Sequence, residues 1–282
     1  MKRDTLSSLS VPQLLRRYGL RPKKRLGQNF LIDAASLQKV LQAADLAADE
    51  DVLEIGAGLG SLTVLLARAA RYVVAVELDA DLIPPLQEIL SPYSNVHLVQ
   101  GDILNLQIGE LFPQKSQSYS VVANIPYYIT SAILRHLLEG EHRPRQMILT
   151  LQLEVAQRIC ASPGEMSLLA LSIHLYGTPS LIAKIPAGAF YPQPKVDSAV
   201  LRLQLAEQPR LEDTELFFRL ARAGFSQKRK TLRNALAAGL GLPPPQVMHL
   251  LQAVQIEPHR RAETLSLEEW GKLVQVYKAY LG

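Results

Sequence analysis

The sequence predicts an α/β fold, a doubly wound sheet domain over residues 1–205 followed by a small helical domain over residues 206–282. Three observations predict it. In Asp51 to Ala67, DVLEIGAGLGSLTVLLA, an apolar β run from Val52 to Ile55 enters a turn with glycines at 56, 58 and 60 and leaves as a leucine-rich helix. That is the strand, turn and helix unit of a Rossmann-like sheet. Apolar runs then alternate with helical stretches through YVVAVELD, NVHLVQGDIL, SVVANIPYYITSAILRHLL and RQMILTLQLEVAQRIC, the pattern of βα units in a parallel sheet. Past the polar stretch AEQPRLED, Ala206 to Asp213, the pattern turns helical.

Composition supports the division. With 282 residues, 48% of them hydrophobic, the protein can bury a sizeable core in one large domain and a small one. No apolar run reaches the roughly 18 residues of a membrane span, and the start MKRDTLSSLS lacks the apolar region of a secretion signal. The expectation is a cytoplasmic protein with no membrane partner. The single cysteine, Cys160, reads as a packed thiol, and the six histidines show no metal-ligand spacing, so no metal is expected.

The formal charge of +4 is unevenly spread. Residues 1–30 carry eight Lys or Arg against one acid, whereas residues 31–110 carry three against twelve. An acidic body with basic ends suggests a polyanion held at the edges.

In sequence order, Val11 to Leu20 predicts a short helix ahead of the basic cluster RPKKR, where Lys23, Lys24 and Arg25 are candidate phosphate contacts. Leu26 to Asp33, LGQNFLID, has no clear period and reads as a loop. A helix follows from about Ala34 to Ala47, with Leu37, Val40, Leu41 and Ala44 on one face. In the glycine turn, backbone without Cβ can take positive φ and let a ligand lie directly on backbone atoms. Glu77 ends the next strand, placed to accept hydrogen bonds from a ribose diol. Position 61, where the dinucleotide fingerprint wants glycine, is Ser61. Both S-adenosylmethionine and NAD fit a glycine turn with a following acid; the former, lacking a pyrophosphate, needs less of a phosphate cradle. Asp102, at the end of the third strand, is placed to receive an adenine amino group or to cap the next segment.

Asn124, Ile125, Pro126 and Tyr127 follow an apolar strand, Ser120 to Ala123. The exocyclic nitrogen of adenine is a poor nucleophile because its lone pair is delocalised into the ring. Acceptors aimed at its two N–H bonds favour a pyramidal nitrogen and free that pair. Asn124 supplies an amide oxygen from its side group, a proline-containing turn exposes backbone carbonyls, and Tyr127 offers a flat face for an unstacked base. Phe190, ahead of Pro192 and Pro194, is a candidate for the base's opposite face, or a core plug. Further on, FSQKRKTLRNAL gathers Lys228, Arg229, Lys230 and Arg233 as phosphate-contact candidates. A closing helix in SLEEWGKLVQVYKAYL is capped by Ser266.

The segments RLGQNFLID, VLEIGAGLGSLT, VVAVELD, GDIL, NIPYYITSAIL, FYPQPKVDSAVLRL, FSQKRKTLRNAL and RAETLSLEEW, in this order from Arg25 to Trp270, resemble the ribosomal RNA adenine dimethyltransferase family, most closely its bacterial small-subunit branch. The resemblance implies a Rossmann-like S-adenosylmethionine methyltransferase. It implies methylation at N6 of two adjacent adenosines near the 3′ end of 16S ribosomal RNA, twice each, by a monomer acting on the small subunit and contributing to its biogenesis. By match to the family's motifs, Asn29, Leu31, Gly56, Glu77 and Asp102 hold the cofactor. Asn124 lies between cofactor and substrate, and Tyr127 and Phe190 sandwich the base. GEMSLLALSI, within residues 163–173, departs from the family pattern. Three alternatives stand beside this reading: a dehydrogenase, a macrolide-resistance relative acting on 23S RNA, and an assembly factor whose binding matters more than its methylation.

Overall fold

The computed structural model describes residues 10–112, 118–126 and 129–281. These group into two compact units, residues up to Ala156 with Ser180–Leu205, and Gln157–Pro179 with residues from Ala206 onward.

The first unit is built on a sheet. A short helix, α1 (Val11–Arg17), precedes a two-residue strand, β1 (Phe30–Leu31), and α2 (Ala34–Ala44). Asp33 caps α2 by accepting from Ser36 N at 2.7 Å, and Asp45, in the left-handed region at φ 44°, ends it earlier than the apolar period suggests. Then come β2 (Asp51–Ile55), α3 (Ser61–Ala69), β3 (Tyr72–Glu77), α4 (Ile83–Leu90), β4 (Val96–Gln100), β5 (Tyr119–Asn124), α5 (Thr130–Glu139) and β6 (Gln146–Gln152). β7 (Gly177–Ile185), whose residues from Ser180 belong to this unit, β8 (Phe190–Tyr191) and β9 (Ser198–Leu205) complete it.

Sheet order among the described residues is β4-β3-β2-β5-β6-β9-β7. β2, with parallel neighbours on both sides, buries all five of its residues. Burial on both faces is why Val52, Leu53 and Ile55 show no alternation, although Asp51 and Glu54 are acids in the same strand. The expectation of a parallel sheet holds from β4 to β6 and fails at β9, which runs antiparallel to β6 with Thr150 opposite Val200. The polypeptide reaches β9 from β8 through a loop, with no crossover helix of the kind a parallel strand needs. At the N-terminal strand ends Asp51 pairs with Arg71 at 2.7 Å and Glu50 with Arg145 at 2.9 Å, leaving the C-terminal ends for the site.

LGQNFLID is not simply a loop. Lys24–Leu26 make one 3-10 turn, Gly27 follows at φ 63°, and β1 pairs antiparallel with β8, Phe30 opposite Tyr191 and Leu31 opposite Phe190. Two-residue strands are too short to show a period.

The second unit is mainly helical, with α6 (Leu153–Ile159) entering it from Gln157, then α7 (Leu168–Tyr176), α8 (Thr214–Phe225), α9 (Leu232–Leu240), α10 (Pro244–Ala253) and α11 (Leu267–Leu281). Residues 157–179, expected in the sheet domain, group here instead. The helix α7, LLALSIHLY, is apolar nearly all round and so suits burial among other helices rather than the surface of a sheet. Trp270, Phe217 and Tyr277 form the centre of this unit's core, with Phe225 stacked on Trp270 at 6.0 Å between centroids. Ser266 and Glu269 cap α11 reciprocally, at 3.2 and 2.8 Å.

Candidate active site

A pocket opens at the C-terminal ends of β2, β3, β4 and β5, in the place where open α/β sheets bind ligands. Its lining includes Asn29, Gly56, Gly58, Glu77, Asp102, Asn124 and Pro126. The floor is the glycine turn. Gly56 and Gly58 have φ of 80° and 61°, a region that side chains rarely adopt. A Cβ on Gly56 would stand 3.4 Å from the Asn124 carbonyl oxygen, and one on Gly58 would stand 3.0 Å from the Phe30 ring. Positive φ at both positions, and the Phe30 ring close against Gly58, are what call for glycine in this floor.

Glu77 is buried, and its two oxygens are held from opposite sides, Oε2 by Gly58 N and Oε1 by Asp79 N, each at 2.8 Å. Burial pushes its carboxyl above the ordinary range against the pull of these N–H groups. Each oxygen keeps a second lone pair for a ligand hydroxyl. Asp102 heads a 3-10 turn, accepting from Leu104 N at 3.0 Å through Oδ1. It caps the next segment, one of the two sequence readings, and it also lines the pocket. Gly101 N donates to the Glu77 carbonyl at 2.9 Å, tying the two acid-bearing strand ends together.

Asn124 is the last residue of β5. Its Nδ2 donates to the Asn29 carbonyl at 2.9 Å, which leaves Oδ1 as the acceptor end of the carboxamide. The Pro126 carbonyl accepts from Ile129 N at 3.2 Å and so is partly occupied by its own turn. Tyr127 lies outside the described residues.

Two expected site residues do not line the pocket. Leu31 and Phe190, opposite each other in the β1–β8 pair, are 5% and 3% exposed and belong to the apolar core that also holds Val40 and Val52. In this structure Phe190 is the core plug. Its ribbon neighbour Tyr191 is 39% exposed. Among the basic candidates, Lys24, Arg25, Lys228, Arg229 and Lys230 are exposed and Arg233 is half-buried, its Nε on Asn234 Oδ1 at 3.2 Å. Lys23 differs: its Nζ lies 2.5 Å from Asp79 Oδ1 and 2.6 Å from Asp81 Oδ2, which offsets its charge.

One group went unmarked in the sequence. Glu54, in β2, is 1% exposed, and its Oε2 has no hydrogen-bond partner among the described residues. Desolvation pushes its pKa up to about 8, with the Thr63 hydroxyl pulling the other way and the Glu77 charge adding to the rise. Its signal in the sequence is an acid between Leu53 and Ile55.

A mostly parallel sheet with an antiparallel strand beyond β6, a glycine turn after its central strand and acids at the ends of the next two strands make a Rossmann-like fold with a ligand pocket at its strand ends. The comparisons narrow the class. A family model described as ribosomal RNA adenine dimethylase matches residues 19–279, and the protein belongs to that family. A curated relative from Dehalococcoides mccartyi (strain CBDB1), "Ribosomal RNA small subunit methyltransferase A", is 48% identical over 94% of this sequence and 91% of its own length. The solved 23S rRNA methyltransferase ErmE is 29% identical, with a TM-score of 0.70 over 89% of this sequence and 100% of its own. A dimethyladenosine transferase from Plasmodium falciparum shares the fold, with a TM-score of 0.77 at 24% identity over 89% of this sequence and 98% of its own.

Proposed function

We propose that the protein transfers methyl groups from S-adenosylmethionine to N6 of two adjacent adenosines in the 3′-terminal hairpin of 16S ribosomal RNA, acting as a monomer on the small subunit in the cytoplasm. The observation that carries this reading is Asn124, held by Asn29 at the strand end with its acceptor oxygen left over, in a pocket that also holds Glu77 and Asp102. The identity to a small-subunit relative, higher than that to the 23S enzyme, supports the choice of substrate.

The pocket suits the cofactor. Glu77 has spare acceptor capacity for a ribose diol, and Asp102 offers a carboxylate to an adenine amino group. The glycine floor leaves room that a Cβ would take. S-adenosylmethionine supplies an electrophilic methyl on a sulfonium. The protein's own residues then have three tasks. Gly56, Glu77 and Asp102 hold the cofactor, the Leu26–Phe30 segment lines the same pocket, and Asn124 Oδ1 accepts from the adenine N6–H to favour a pyramidal nitrogen. Orientation of nucleophile and methyl in one pocket is the main source of rate. Tyr127 is assigned to stacking with the base. Phe190 could serve as the opposing face only after leaving the core position it has here.

Methyl transfer from labelled S-adenosylmethionine to small subunits lacking this modification, beside large subunits and naked RNA, tests the reading once nucleosides are identified by mass. Dimethyladenosine in the small subunit alone is expected. Label in large-subunit RNA would move the substrate to the ErmE-like branch, and binding without label would favour an assembly factor.

A further inference from the structure

The basic cluster before the pocket does not act as one unit. Lys23 reaches both Asp79 and Asp81, at 2.5 and 2.6 Å. Gln28 Nε2 donates to the other Asp79 oxygen at 2.7 Å, and Gln28 Oε1 accepts from Lys23 N at 2.7 Å. Asp79 is 4% exposed and its Oδ1 also accepts from Asp81 N at 3.1 Å. Burial works to raise the Asp79 carboxyl, yet the bonds from Lys23 and Gln28 outweigh it and hold the group below its ordinary value. The Asp79 N–H is in turn one of the backbone donors that hold Glu77.

Leu26, Gly27, Gln28, Asn29 and Phe30 all line the pocket. This strap is pinned at one end to the turn after β3, through Lys23 and Gln28, and at the other to the end of β5, through Asn29 and Asn124. Lys23 and Asp79 are 56 residues apart in sequence. An ion pair on a buried carboxylate is worth forming only if its geometry is kept, because losing one partner leaves the other charge uncompensated.

Taking the pocket as the S-adenosylmethionine site, we propose that Asp79 and Lys23 are positioning residues for the cofactor: their pairing holds the strap down over the pocket and keeps Glu77 in place, and Lys23 is not a phosphate contact. An RNA phosphate would have to displace two carboxylates to reach this ammonium, whereas Lys24 and Arg25 beside it are exposed. Loosening the strap lowers the fraction of molecules competent to bind, and apparent affinity falls by that fraction.

The test is calorimetric titration of S-adenosylhomocysteine into the full-length protein and into Lys23→Met, Lys23→Arg and Asp79→Asn, with KM measured for S-adenosylmethionine and for small subunits. Lys23→Met leaves the buried Asp79 carboxylate without its cation, so its fold is first checked by circular dichroism beside the wild type and Lys23→Arg. Its Kd for S-adenosylhomocysteine and KM for S-adenosylmethionine are expected to rise about tenfold, with kcat changed less than about twofold and KM for small subunits unaltered. Asp79→Asn moves the same quantities in the same direction, and Lys23→Arg restores them to within about twofold. Lys23→Met with wild-type affinity for S-adenosylhomocysteine and a raised KM for small subunits overturns the proposal and makes Lys23 an RNA contact. A folded wild type that binds no S-adenosylhomocysteine overturns instead the reading of the pocket.

Discussion

The carboxamide nitrogen of Asn124 donates to the backbone carbonyl of Asn29 at 2.9 Å, joining residues 95 positions apart along one wall of the pocket. A carboxamide whose NH2 is committed has its oxygen oriented as well, since the two ends share one plane. Asn124 is thereby set up as an acceptor before any substrate arrives.

Asn124→Ala is therefore expected to lower methyl transfer by at least about a hundredfold, the usual effect of losing an oriented hydrogen bond to the reacting group. Cofactor affinity should fall only a few-fold, because the strap keeps its tie to Asp79. Single-turnover transfer and calorimetry on the same preparation separate the two effects. Near-normal turnover would sink the role assigned to this residue.

Glu77 tests the other wall. Both its oxygens accept from backbone N–H groups, Gly58 and Asp79. In Glu77→Gln the new NH2 must face one of these donors, leaving a buried N–H unpaired at a cost of about 1–3 kcal/mol. S-adenosylhomocysteine affinity is expected to drop roughly tenfold to a hundredfold, read by calorimetry. An unchanged Kd would show that Glu77 only braces the turn.

Glu54 should give the protein a pH-dependent stability. Its folded pKa is about 8 against an ordinary 4.5, so the folded state holds the proton longer than the unfolded state does. Below the ordinary value both states are protonated and there is no penalty. As pH rises from there toward 8, the unfolded state is ionised while the folded one is not, and stability falls by up to ~1.4 kcal/mol per pH unit. Glu54→Gln removes this slope. Urea unfolding at several pH values is expected to show the variant gaining on the wild type between pH 5 and 8; a constant difference would mean that Glu54 is not held neutral.

How much of this was legible in the sequence depends on whether the signal was local. The glycine turn, Glu77, Asp102 and Asn124 sit at the ends of apolar runs, and strand, turn and acid are read within one stretch of sequence. Phe190 is ambiguous because a phenylalanine before prolines suits a stacking face or a core equally; the core that buries it, with Leu31, Val40 and Val52, comes from residues far away in sequence. Lys23 looked like its basic neighbours because nothing near it names Asp79. The grouping of residues 157–179 was hidden for a similar reason: apolar helices announce burial but not the partner that buries them.

The second unit offers the clearest electrostatic prediction. Lys228, Arg229 and Lys230 are exposed between α8 and α9. Arg233 lies half-buried at the start of α9, its Nε on Asn234. Each Lys or Arg that neutralises a phosphate releases roughly 0.7–0.9 counterions, so binding should weaken steeply with salt. Changing Lys228, Arg229 and Lys230 together to Gln is expected to reduce the slope of log affinity against log salt by about two to three for small subunits. Methyl transfer at saturating substrate should be little altered, because none of the three lines the pocket. Filter binding over a salt series measures the slope. An unaltered slope would mean that these cations face solvent in the complex, and that the phosphate contacts belong to other residues.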